Sequence, residues 1–176
     1  MWPFRRTHRF PGVKQNADGT IDFSLTKEEA AAADSALKNF QGFVVHPDCA
    51  ERIRNGTIAV ALSHYAKDLI ALNCAEVPDK ISRSKWANIQ SVLEKAIAST
   101  WKAYSLWAAP VFIYHRASFL KMLGEKVQAL ELFARFADMQ PKFHSDQSDD
   151  LLFKYEGTDI EHALAHARRE TSTVSS

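Results

Sequence analysis

The sequence predicts an all-α protein of six or seven helices, preceded by a short irregular or hairpin arm. Three observations predict it. Apolar residues recur at steps of three and four along most of the chain, the period of one helical face. Three Ser/Thr/Asp-x-x-Glu starts stand at Thr26–Glu29, Asp48–Glu51 and Thr158–Glu161, each able to satisfy amides that a helix N-terminus leaves without partners. Only one stretch, Thr20-Ile21-Asp22-Phe23, alternates polar and apolar residues as a strand does.

Taken in order, residues 1–25 form an arm punctuated by Pro3, Pro11, Gly12 and Gly19, with Asp18-Gly19 as its turn signal. Thr26 and Glu29 open an Ala-rich helix over about 27–40, which Gly42 ends. Ile58, Leu62, Tyr65, Leu69 and Leu72 then draw a stripe down a helix over about 49–76, with Gly56 inside it costing about 1 kcal/mol of propensity. Val77-Pro78 breaks the pattern. Trp86, Ile89, Leu93, Ile97, Trp101 and Tyr104 mark a helix over about 81–108, whose tryptophans, with Trp107, are expected in the core or at an interface. Pro110 leads into 111–123, Gly124 turns the chain into 125–139, and Pro141 is expected to stop that helix. A final hairpin is expected with Leu151-Leu152-Phe153 in one arm and a helix from Thr158 to about Arg169 in the other. Residues 26–170 thus read as one helical domain and 171–176 as a frayed tail.

Composition narrows the function classes. The 176 residues are 46% apolar and 24% charged, as in an ordinary globular protein. A formal charge of +1 provides no global field for nucleic acid, so none is expected as a partner. Charge is uneven, though: Arg5, Arg6, Arg9 and Lys14 make the first 20 residues basic, and residues 144–161 are acidic. Cys49 and Cys74 among seven scattered histidines suggest a reducing compartment, with neither a disulfide framework nor a zinc site. No secretory signal is visible behind Arg5 and Arg6. The longest nearly apolar run, Leu106–Tyr114, is broken by Pro110, whereas spanning a bilayer takes about 20 residues. The expected location is the cytoplasm.

Gly124, Ala129, Phe133 and Pro141 stand at offsets 0, +5, +9 and +17, with Ala117 and Leu120 in the preceding helix. In this spacing residues 110–141 resemble one tetratricopeptide repeat, a helical hairpin with small residues at the helix–helix contact. Three positions depart from that pattern: Ile113 where Trp is commonest, Arg116 where Leu is usual, and Phe136 where Ala is usual. The resemblance implies a protein-binding surface on the first helix, carried by Val111, Tyr114, Ser118, Lys121 and Met122. Members that grip C-terminal carboxylates carry basic and amide side chains where this chain has Val111 and Tyr114. The expected guest is therefore a helix or extended peptide docking against Tyr114, Ser118, Lys121 and Met122.

Reactive chemistry is sparse. His162 and His166 stand at i and i+4 on the last helix, a metal-ligand spacing that would need a third ligand from His144, Asp149 or Asp150. Asn16, Asp18 and Gly19 imitate the centre of a calcium loop, but Lys14 and Leu25 occupy the positions where its carboxylates belong. His64 and His115 read as core imidazoles. No phosphate loop, nucleophile elbow or paired catalytic carboxylate motif is present. The reading is a non-catalytic adaptor or scaffold without cofactor, able to self-associate through its two long helices. The alternatives are a small metal-binding or hydrolytic protein using His162 and His166, and a membrane-surface adaptor inserting Trp2 and Phe4 while Arg5, Arg6 and Arg9 meet anionic head groups.

Overall fold

The computed structural model describes residues 9–40, 47–74, 82–146 and 150–173. Its arm is a hairpin in which β1 (Val13–Gln15) pairs antiparallel with β2 (Ile21–Phe23), Val13 opposite Phe23. Asp18 builds the turn: its carboxylate accepts from the Thr20 hydroxyl at 2.6 Å and from the Thr20 amide at 3.0 Å. Those bonds hold the Asp18 carboxyl below its ordinary value. The calcium-like spacing is thus a local Asx turn.

Seven helices follow among the described residues: α1 (Lys27–Phe40), α2 (Pro47–Cys74), α3 (Arg83–Leu106), α4 (Pro110–Leu123), α5 (Lys126–Asp146), α6 (Asp150–Glu156) and α7 (Ile160–Ser172). The class is all-α. No described helix is long and apolar enough to cross a membrane.

Most helix ends follow from side-chain chemistry. At α1 the capping box forms, with the Thr26 hydroxyl accepting from the Glu29 amide at 3.3 Å and Glu29 accepting from the Thr26 amide at 2.8 Å. Ser82 caps α3 through the Lys85 amide at 3.3 Å. Gly124 closes α4 at φ 96°, a left-handed turn that side chains resist, and lets α5 run back against α4.

Three ends differ from expectation. Helix α2 begins at Pro47, so Asp48 stands inside its first turn and is not its cap. Pro141 does not stop α5, which continues to Asp146. The lost helical hydrogen bond is offset by Phe143, which packs 5.2 Å from Phe153 and 6.1 Å from Trp107 between ring centroids. At α7 the cap is Asp159, accepting from the His162 amide at 3.0 Å, and not Thr158. Thr158 is drawn away because its hydroxyl and amide both serve the buried Glu156 cluster.

Helices α1 to α5 each pack mainly on their neighbours in sequence, α7 returns to α5 and α4, and α6 folds back onto α2. One half of the core gathers Leu93, Ile97, Ala117, Leu120, Phe133 and Phe136; the other gathers Val60, Leu62, Trp107, Phe112 and Leu152. Each such aromatic or aliphatic side chain contributes about 1.5–3 kcal/mol by leaving water. Ala129 is buried at the α4–α5 contact, where a larger residue would force the helices apart. Gly12, at φ 70°, lets the arm approach Lys102 of α3; a Cβ there would stand 2.8 Å from the Lys102 ammonium nitrogen.

Candidate functional site

Helix α4 presents two faces to two different surroundings. Tyr114 points toward α5 and α7, with its ring 5.1 Å from Phe136 and 5.9 Å from Phe133. Its hydroxyl lies 3.0 Å from His166 Nδ1. Burial raises the Tyr114 pKa, so the group stays a neutral donor. The other ring nitrogen of His166, Nε2, stands 3.2 Å from Glu170. Two turns along α4, Lys121 pairs with Glu170 at 2.7 Å. Ser118 turns its hydroxyl back to the Tyr114 carbonyl at 3.0 Å, and Met122 is 40% exposed. Val111 is fully buried in the core. Of the residues singled out for partner binding, Tyr114 and Lys121 therefore hold the chain's own α7, Ser118 serves its own helix, and Met122 faces solvent.

His162 and His166 do not converge on a common point with further ligands. His162 is exposed, His166 has both ring nitrogens engaged, and no group of three metal-ligating residues forms among the described residues. The side chains of His144, Asp149 and Asp150 lie outside the described residues, as do Trp2, Phe4, Arg5 and Arg6.

Two buried ionic clusters bind the helices together. Glu156, 1% exposed at the end of α6, accepts from Lys67 Nζ at 2.8 Å and Ser63 Oγ at 3.1 Å of α2. His115 Nε2 of α4 stands 2.9 Å from the same oxygen, and the Thr158 amide donates to the other at 2.9 Å. Burial alone would raise the Glu156 carboxyl, but His115 and Lys67 outweigh it and hold the group well below the carboxylate range. In the second cluster Lys102, wholly buried in α3, meets Glu29 of α1 at 2.6 Å, and Ser99 donates to the other carboxylate oxygen. Each oxygen in both clusters is occupied by an internal donor. In Glu156 one oxygen has three internal partners and the other has one; in Glu29 one oxygen takes Lys102 and the Thr26 amide and the other takes Ser99.

On the side of α4 away from Tyr114, about 200° around the helix at two residues' separation, Arg116 enters a cleft of about 550 Å³. The cleft is lined by Gln15 and Thr20 of the hairpin, Trp101 and Tyr104 of α3, Arg116 of α4 and Arg135 of α5. Arg116 stacks over the Trp101 ring at 4.9 Å and Arg135 over the Tyr104 ring at 5.6 Å. Arg135 also donates to the Tyr104 hydroxyl at 3.3 Å. Burial, with the like charge of Arg135 beside it, pushes the Arg116 guanidinium down to about 10, still charged at neutral pH. Arg135 was not legible as a site residue. Arg116 carried a signal, as a charged residue at an apolar position of the repeat pattern.

Comparison of the chain with family models, with curated proteins and with solved structures gives no match.

Proposed function

We propose that the chain is a non-catalytic protein-interaction module, an adaptor or scaffold, built on a tetratricopeptide-like hairpin formed by α4 and α5. One observation carries the reading: the α4 face at Tyr114 and Lys121 accommodates an amphipathic helix, α7, through a hydroxyl–imidazole hydrogen bond and an ion pair. A partner helix or peptide with the same apolar stripe and a carboxylate at the position of Glu170 competes for that face, and Met122 at its edge adds apolar contact. The internal partners on every oxygen of Glu29 and Glu156 favour a structural role for these buried groups over a catalytic one. The two widely spaced cysteines fit a cytoplasmic setting.

The test is a partner captured by the full chain, verified with purified components, and then measured against a Tyr114→Ala/Lys121→Ala variant whose helix content is unchanged. A loss of about tenfold or more in affinity supports the reading. Unchanged affinity removes α4 as the binding surface.

A further inference from the structure

Two like-charged guanidiniums share the cleft between the hairpin and α3–α5, and no carboxylate pairs with either of them among the described residues. Glu131 lies one helical turn before Arg135 and lines the adjoining hollow with Arg116, yet forms no ion pair with either. Elsewhere the fold supplies its inward-facing cations with carboxylates: the buried Lys102 has Glu29, and the half-buried Lys67 has Glu156. The exception stands where the two cations line an accessible cavity. Placing a partly buried charge beside a like charge is unfavourable unless something of opposite sign completes the group.

We propose that this cleft is a binding site for a phosphate monoester, whose dianionic head is held between Arg116 and Arg135. Two guanidiniums match two negative charges, and the planar fork of each presents paired N–H donors to phosphate oxygens. Trp101 and Tyr104 cover one face of each guanidinium and fix its plane, which lowers the entropy lost on binding. The cleft's volume of about 550 Å³ exceeds what a phosphate fills, so the organic part of the ester lies toward Gln15 and Thr20. This site is separate from the α7 face and does not rest on the interaction reading.

The experiment is calorimetric titration of the full chain at low salt with O-phosphoserine, with a phosphoserine peptide flanked by alanines, and with succinate. The expected result is saturable one-site binding of O-phosphoserine, weakened about tenfold or more by Arg135→Gln and by Arg116→Met. Arg135 is exposed, so its variant keeps the fold, and far-ultraviolet circular dichroism verifies this. Arg116→Met has a second readout: the unliganded protein melts at a higher temperature than wild type while no longer gaining stability from O-phosphoserine. A peptide binding more tightly than the free amino acid identifies a phosphorylated polypeptide as the source; equal binding identifies a small phosphate ester. Binding that survives Arg135→Gln, succinate binding as tightly as O-phosphoserine, or no saturable binding at all overturns the proposal.

Discussion

Tyr114 and His166, 52 residues apart, meet at 3.0 Å. The sequence marks Tyr114 for partner binding and, in the alternative reading, His166 for a metal; the fold uses each to hold the other. Tyr114→Phe keeps the ring packing on Phe133 and Phe136 and deletes only the hydroxyl. The expected cost is about 0.5–1.5 kcal/mol, the net worth of one hydrogen bond. Hydrogen exchange should show the loss concentrated in α7, with α1–α3 unchanged.

Glu156 sets the acid limb of stability. Its folded-state pKa is depressed, so its contribution is fully present above the ordinary carboxyl value of 4.5 and is lost progressively as pH falls below that. Glu156→Gln, which cannot titrate, should be less stable than wild type at pH 7 and should lose less stability on acidification. Urea midpoints at pH 7 and at pH values below 4.5 measure both; parallel acid limbs for the two proteins would refute the assignment.

The Glu29–Lys102 pair is buried on both sides. Lys102→Met leaves the Glu29 carboxylate uncompensated and should cost about 3–5 kcal/mol. Adding Glu29→Gln removes that orphaned charge, so the double variant should be less destabilised than the sum of the singles by about 1 kcal/mol or more. Strict additivity in denaturant unfolding would show that the two groups do not couple.

Gly56 has a packing reason to lie inside α2. An alanine Cβ there would stand 2.5 Å from Leu152 of α6. Gly→Ala in a free helix gains about 1 kcal/mol. Here overpacking of about 1–3 kcal/mol opposes it, and Gly56→Ala is expected to lower the melting temperature. In a Leu152→Ala background the same substitution should become neutral or stabilising.

Helix content was legible because its causes are local. The stripe from Ile58 to Leu72 and the Thr26–Glu29 box each lie within a few residues, and the helices they predict form at α2 and α1. The continuation of α5 through Pro141 was not legible, because the aromatic contacts that retain it come from Trp107 and Phe153. Thr158 likewise reads as a cap until Glu156 and His115 compete for it. The cleft was half legible. Arg116 stands out against an apolar pattern, but nothing near Arg135 in sequence says that a hairpin turn brings it alongside.

By itself the sequence determined the all-α class, the order of the helices and the turn at Gly124, because periodicity, capping and backbone conformation act over a few residues. Only the tertiary structure decided that α7 covers the Tyr114 face and that two arginines share one cleft. Those outcomes depend on which distant surfaces bury each other, and that choice is made by the packing of the whole chain.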